Sequence, residues 1–144
     1  MTWRDANAYA TWAGKSLPSA EQREKAARGT SGRTFPWGDQ KTAAKCNVRE
    51  TGVERTTSVS RYHSGVSPYG VYDMVGNVWE WLATETTPTR YELRGSAFTS
   101  PLFRGAPAVS NDASASTQDD DGLSVCCYAG SDVTKEKVIG RLAN

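Results

Sequence analysis

The sequence predicts a single α+β domain with two helices near the N-terminus, short antiparallel strands and long loops. Two capping patterns near the start each precede a run of residues with helical spacing. Farther along, aromatic residues are concentrated in short segments with turn residues between them, which is typical of strands. The 13 glycines among 144 residues favour turns and loops over long helices.

The two helices are expected in the first 29 residues. Thr2 and Asp5 form a capping box, which indicates a helix through "DANAYATWA". Ser19 and Gln22 form a second capping box, which indicates a helix through "AEQREKAAR" that ends at Gly29. The second helix is charged on most of its surface, so we expect it to lie across the surface of the core.

The rest of the chain lacks helical spacing. Residues 38–68 carry few large apolar groups and are expected to form a long structured loop. The segment "YGVYDMVGNVWEW" predicts two short extended pieces around a Gly-Asn turn, and "YELRGSAF" and "GLSVCCYAG" predict further strands. We therefore expect a domain over residues 1–130, followed by a polar tail or short terminal helix over residues 131–144.

The stretch "GNVWEW" places a carboxylate between two indoles. On a strand, Trp79 and Trp81 share one face and Glu80 takes the other. A carboxylate beside so much buried indole surface needs a partner, unless Glu80 is exposed and merely hydrogen-bonded to backbone.

Composition excludes several classes of function. The formal charge is +1 without a basic cluster, so no nucleic-acid partner is expected. The chain has no long apolar run and no signal pattern, so we expect no membrane insertion and a cytoplasmic location, unless the protein is exported or displayed by a partner. Three cysteines give neither a disulfide framework nor a four-cysteine zinc site, which favours ordinary thiols in a reducing compartment or a bacterial source.

Six separated blocks resemble one known family. They are "MTWRDANAYATWAGKSLPS", "EKAARG", "FPWG", "CNV", "YGVYDMVGNVWEW" and "LRGSAF", in that order, between Thr2 and about Gly122. In this order they are similar to the formylglycine-generating enzyme, or sulfatase-modifying factor, family. The resemblance implies a variant of the C-type lectin fold with sparse secondary structure and bound structural calcium. The strand region that usually precedes the first block in that family is missing from this sequence.

The resemblance also implies positions for calcium. Side chains of Asp73 and Glu80, with backbone carbonyls of Gly76 and Val78, match one family site. Calcium prefers six to eight oxygens of these kinds, so the ion would be the partner that Glu80 needs. A possible second site matches the family at Asn47 and Val48, although the acidic segment that completes it in the family has no clear counterpart.

The copper-binding cysteines of the family are absent. The family's pair falls on Ser100 and Gly105, and there is no cysteine between Cys46 and Cys126. Serine and glycine cannot supply thiolates to copper(I), so no copper and no formylglycine-generating activity are expected. The single His63 also cannot form the two-histidine iron site of an oxygenase.

Residues 96–121 occupy the place of that active site. This segment is rich in small polar residues, and the scaffold around it resembles the variable proteins of diversity-generating retroelements, which display a hypervariable surface on this kind of fold. We therefore predict a non-catalytic protein that binds an unknown protein or surface ligand. The alternatives are a degenerate enzyme or a regulatory or carbohydrate-binding member of the family, or an enzyme of different chemistry on the same fold.

The predicted ligand-binding residues combine a hot spot with adaptable hydrogen-bonding groups. They are Thr99, Ser100, Pro101, Leu102, Phe103, Arg104, Ser110, Asn111, Ser114, Ser116 and Gln118. The hot spot within this set is the run Leu102, Phe103 and Arg104.

Overall fold

The computed structural model describes residues 1–118, 123–127 and 138–140. These ranges contain two α-helices, α1 and α2, and five strands, β1 to β5. The helices are α1 (Trp3–Trp12) and α2 (Ala20–Arg28), and the strands are β1 (Trp79–Thr87), β2 (Arg90–Arg94), β3 (Asn111–Ser114), β4 (Leu123–Cys127) and β5 (Val138–Gly140).

Both helices begin at the predicted capping boxes. The Asp5 amide donates to Thr2 Oγ1 (3.2 Å), and the Thr2 amide donates back to an Asp5 carboxylate oxygen (2.9 Å). The same exchange joins Ser19 and Gln22 at the start of α2. Each box satisfies two backbone amides that the helix cannot pair itself, which is why the helices begin there.

The strands form one mixed sheet in the order β3-β2-β1-β4-β5. Antiparallel pairs join β1 to β2, β2 to β3 and β4 to β5, whereas β1 and β4 run parallel. The prediction of an α+β fold with short antiparallel strands is confirmed, and the sheet contains in addition one parallel pair. A parallel neighbour needs a long connection, and the chain between β1 and β4 supplies it by way of β2 and β3.

The main core lies between α1 and this sheet. Trp79 and Trp81 both belong to it, as the alternation of a strand requires, and Trp81 is fully buried. Ala6 and Ala10 are the buried residues of α1 in this core, and their small side chains let the helix approach the sheet closely. Glu80 points away from this core.

Three predictions about elements need correction. In "YGVYDMVGNVWEW" only the part after the Gly-Asn turn is a strand, since residues 71–73 are irregular and residues 74–78 form bends and an isolated bridge. Residues 96–121, for which no regular element is predicted, contain β3 and a 3-10 helix, Leu102–Gly105. The predicted tail contains β5, so the sheet extends past residue 130. Neither β3 nor β5 has a strongly apolar alternation, and the pairing with a neighbouring strand makes each of them a strand.

No helix in the described part of the chain is both long and apolar enough to cross a membrane.

Candidate functional site

The segment that replaces the expected active site leaves β2 through a sharp turn. Gly95 and Ser96 have φ of 97° and 65°, and this left-handed pair turns the chain away from the sheet. The chain then forms the 3-10 helix Leu102–Gly105 and returns to the sheet as β3. We call residues 99–118 the display segment; residues 119–121 of the predicted site lie outside the described residues.

Three contacts from the rest of the protein hold the backbone of the display segment. The Arg49 amide donates to the Ser100 carbonyl (3.0 Å), and both carboxylate oxygens of Glu50 accept from the Leu102 amide (3.0 Å each). Arg94 donates through Nη1 to the carbonyl of Pro107 (2.6 Å). All three contacts use backbone groups of the segment, so they do not depend on which side chains it carries.

Arg94 is itself fixed by carboxylates. Its Nε pairs with Glu92 (2.7 Å), and its Nη1 pairs with Glu24 of α2 (2.9 Å). Burial by itself would lower the pKa of Arg94, but the hydrogen bonds to Glu92 and Glu24 outweigh it and raise the pKa. Burial likewise favours neutral Glu24, yet its bonds to Arg94 and Arg28 leave its pKa lowered. Arg94, which donates to the Pro107 carbonyl, and its partner Glu24 are therefore both charged.

One predicted hot-spot residue belongs to the core. Leu102 is 5% exposed and packs in a cluster with Phe35, Val48 and Val75. The prediction that Leu102 offers binding surface is wrong, because its position at the start of the 3-10 helix turns the side chain inward. Phe103, the next residue, is 60% exposed.

Most of the other predicted ligand-binding residues lie at the surface. Arg104 is half-buried and its guanidinium lies 5.7 Å from the centre of the Trp79 ring, so a scaffold indole orients it. Ser100, Pro101 and Ser114 are also half-buried. The exposed members of the predicted set are Thr99, Phe103, Ser110, Asn111, Ser116 and Gln118.

The end of the display segment is tied to the sheet by an ion pair that the sequence did not indicate. Asp112 on β3 accepts from Arg90 Nε (2.6 Å) and from Thr86 Oγ1 (3.1 Å). The hydrogen bond from Arg90 lowers the pKa of Asp112, and the same bond raises the pKa of Arg90. Arg90 and Asp112 lie on adjacent strands, so only knowledge of the β2–β3 pairing could have joined them.

The positions of the family's cysteine pair differ in the space they leave for a side chain. The Ser100 hydroxyl accepts from the Ala97 amide (3.3 Å). A Cβ on Gly105 would lie 2.6 Å from Val75 Cγ1 and 2.7 Å from Ser96 Oγ, so the space for a side chain there is already filled. Cys46 is a free, buried cysteine, and burial raises its pKa to about 12.

Glu80 is buried, with 2% of its surface exposed, so the alternative of an exposed Glu80 is wrong. Its Oε2 pairs with Arg23 Nε at 3.1 Å. Arg23, on α2, is fully buried and also donates through Nη2 to the Met74 carbonyl (2.5 Å). Sequence reasoning missed Arg23, yet a signal existed: Arg23 falls between Ala20 and Ala27 at helical spacing, on the stripe that α2 buries.

The other predicted calcium ligands lie in a neighbouring polar network. Asn77 donates through Nδ2 to Asp73 (2.9 Å), and Asn47 donates through Nδ2 to Asn77 Oδ1 (3.2 Å). The Gly76 carbonyl accepts from the Val78 amide (2.9 Å), and a bridge joins Gly76 to Asn47. The two predicted calcium sites are therefore adjacent.

The fit of calcium differs between these two sites. Asn47 Oδ1 is buried and accepts no hydrogen bond from the described residues, so an oxygen suited to a cation is present there. The Val48 carbonyl, by contrast, already accepts from the amide and hydroxyl of Thr51. At Glu80 the fit is poor, because the carboxylate already pairs with a guanidinium. No group of three or more His, Cys, Asp or Glu side chains able to share a metal occurs within the described ranges.

The chain matches known proteins over most of its length. Residues 1–126 match the model of the sulfatase-modifying factor enzyme 1-like domain. The chain is 36% identical over 104 residues to the inactive C-alpha-formylglycine-generating enzyme 2 of Bos taurus, covering 65% of this chain and 35% of that protein. It is 38% identical over 116 residues to the formylglycine-generating enzyme of Thermomonospora curvata, covering 66% and 38%. This chain thus spans little more than a third of these relatives.

Solved structures confirm the C-type lectin-like fold. PvdO from Pseudomonas aeruginosa superposes with a TM-score of 0.69 at 25% identity, covering 81% of this chain and 55% of PvdO. Variable protein 1 of Treponema denticola superposes with a TM-score of 0.64 at 21% identity, covering 76% of this chain and 45% of that protein. At 21% identity the second likeness shows the fold alone. Because the domain model matches residues 1–126 and the fold agrees with it, the chain belongs to the family of sulfatase-modifying factor enzyme 1-like domains.

Proposed function

We propose that this protein is a non-catalytic binding protein that presents the exposed side chains of its display segment to a protein or surface ligand. The observation that carries the proposal is the difference between the backbone of the segment, which is held by the rest of the protein, and its exposed side chains. Its backbone is held by Arg49, Glu50 and Arg94 through carbonyls and amides, while its exposed side chains take no part in these three contacts. Such a segment tolerates replacement of its surface residues, as a diversified binding face requires.

The site of the family's chemistry supports this proposal. Gly105 is packed against Val75 and Ser96, and Ser100 carries a hydroxyl in place of a thiol. A soft copper(I) ion has no thiolate pair to bind at these positions. The inactive C-alpha-formylglycine-generating enzyme 2 of Bos taurus is a relative whose name describes an inactive member of the family.

The variable proteins of diversity-generating retroelements provide the model for how the surface is used. Variable protein 1 of Treponema denticola shares the fold with this chain. In this proposal Phe103 is the apolar anchor and Arg104, held over Trp79, supplies a directed cation. Ser110 and Asn111 add hydrogen-bonding groups that suit many partners.

One observation on the gene tests the origin of the surface. The DNA flanking the gene should contain a near-repeat of the codons for residues 95–125, with mismatches confined to adenines of the repeat. A flanking region without such a repeat would refute diversification by a retroelement. It would leave the second candidate, a degenerate family member with a fixed regulatory or carbohydrate ligand, which the inactive relative favours.

A library tests the binding face directly. Randomising the six exposed residues should leave most members soluble and folded, and the members should differ in the ligands they capture. The matched control randomises three buried positions of the same region: Leu102, Gly105 and Ala115. If the surface library unfolds as often as the buried library, the display segment supports the fold and the proposal fails.

Of the predicted pair Asn47 and Val48, we propose structural calcium at Asn47, because the Val48 carbonyl already accepts from Thr51. The buried Asn47 Oδ1 would be the side-chain ligand, and the ion would brace the network around Asn77 without taking part in ligand binding. The test is a thermal melt with calcium or chelator. A melting temperature that does not respond to calcium would refute an ion at Asn47.

A further inference from the structure

We propose that Arg23 is a built-in cation that takes the place of a divalent ion at Glu80. The family resemblance assigns this carboxylate to calcium, but the structure places a guanidinium against it. Arg23 Nε lies 3.1 Å from Glu80 Oε2, and both side chains are almost completely buried. The segment of residues 73–80, which ends on β1, is therefore stabilised by an ion pair between Glu80 and another residue of the chain, Arg23.

Arg23 makes the two kinds of contact that a bound cation would make. Nε binds a carboxylate oxygen, and Nη2 binds the Met74 carbonyl, which belongs to the same loop. A calcium ion bound to Glu80 would lie close to this positive charge in a buried site, where repulsion between like charges is weakly screened. The guanidinium and a divalent ion are thus alternative partners for the same carboxylate.

The surrounding backbone leaves room for the guanidinium. Gly95 has φ of 97°, and a Cβ built there would lie 2.7 Å from Arg23 Nη2. Any side chain at this position would displace the guanidinium or shift the backbone. Gly95 also accepts a hydrogen bond from the Gly76 amide (2.6 Å) through its carbonyl. The Arg23 site therefore joins α2, the loop before β1 and the turn that begins the display segment.

The consequence is that this junction is independent of calcium concentration. The structure that supports the display segment would therefore remain folded in media with little calcium, whatever ligand the segment binds. The inference concerns the scaffold, so it stands or falls separately from the proposed function.

Thermal melts of four proteins test the inference: the wild type, Arg23→Met, Glu80→Gln and the double variant. Each single change strands one buried polar partner and should lower the melting temperature by about 10–20 °C. The double variant should lose clearly less than the sum of the single losses, because it leaves neither charge buried without its counter-charge. Additive losses would overturn the pairing.

Calcium distinguishes the two cations. Each protein is melted in excess chelator and in excess calcium. An ion at Asn47 would stabilise the wild type and the double variant equally, so equal shifts, including none, support the inference. A calcium-dependent shift in the wild type that the double variant lacks would show that the ion binds through Glu80, and would overturn it.

A second measurement applies if the variants at Arg23 and Glu80 fail to fold. Asn47→Ala removes the other predicted side-chain ligand and leaves Arg23 and Glu80 in place. Its melting temperature should be the same in chelator and in calcium. A remaining increase with calcium would place an ion in the Glu80 loop and overturn the inference.

Discussion

Leu102 and Phe103 are adjacent in sequence but should respond oppositely to truncation. Leu102→Ala removes a side chain that is 5% exposed from the cluster with Val48 and Val75. Removal of a buried leucine costs the lost transfer free energy and leaves a cavity, together about 2–5 kcal/mol. Phe103→Ala removes a larger side chain that is 60% exposed, and we expect a change of less than about 0.5 kcal/mol.

The comparison separates burial from size. If size decided, the phenylalanine would be the more damaging truncation. Both substitutions leave the backbone amide of residue 102 available to Glu50, so this anchor is the same in both variants. The two variants therefore differ in the depth of the side chain that is lost.

Urea and thermal unfolding of both variants give the measurement. For a chain of this size, Leu102→Ala should lower the melting temperature by about 5–15 °C, and Phe103→Ala by about 2 °C or less. Binding should show the reverse order once a ligand is known, with Phe103→Ala the more harmful change. Equal destabilisation, or greater destabilisation by Phe103→Ala, would refute the assignment of Leu102 to the core and Phe103 to the surface.

Three further predictions concern the contacts around this segment. Gly105→Ala should destabilise the protein, because its Cβ would meet Val75 at 2.6 Å; a variant as stable as the wild type in a urea melt would contradict the packing described. Glu24 has a lowered pKa in the fold, so its contribution to stability is present above the unfolded pKa of about 4.5 and is lost as the pH falls through the folded value. The melting temperature of Glu24→Gln should therefore lie below that of the wild type at pH 6 and approach it at pH 3. A constant difference in melting temperature across this range would count against the ion pair with Arg94. Cys46, with its pKa raised to about 12, should resist iodoacetamide at pH 8 until the protein is unfolded. Rapid modification of Cys46 in the folded protein, measured by mass spectrometry, would show that the thiol is accessible and would contradict this prediction.

The helices and the indole core could be predicted because their causes are local. A capping box is complete within four residues, so Thr2 and Ser19 predicted the starts of α1 and α2. The alternation of a strand similarly placed Trp79 and Trp81 on one face, and the absence of cysteines at positions 100 and 105 is a property of the sequence itself.

The partner of Glu80 required the tertiary structure. The sequence showed that a buried carboxylate needs a positive charge, and the family resemblance suggested calcium. Arg23 lies 57 positions earlier on a helix whose surface is mostly charged, and only the packing of α2 against β1 brings it to Glu80. The spacing of Ala20, Arg23 and Ala27 indicates that Arg23 is buried, but no local pattern indicates that Glu80 is its partner.

The same limit explains the errors in the display segment. The run from Leu102 to Arg104 has the composition of a binding surface, but the turn of a 3-10 helix sends neighbouring side chains to different sides, so one is buried and the next is exposed. Residues Asn111–Ser114 form the strand β3 because they pair with β2. The register of this pairing brings Arg90 and Asp112 together as an ion pair. The sequence by itself determined the elements whose free energy comes from residues within a few positions of each other. The tertiary structure decided which side chains face inward and which charges meet, because those free energies depend on contacts between distant segments.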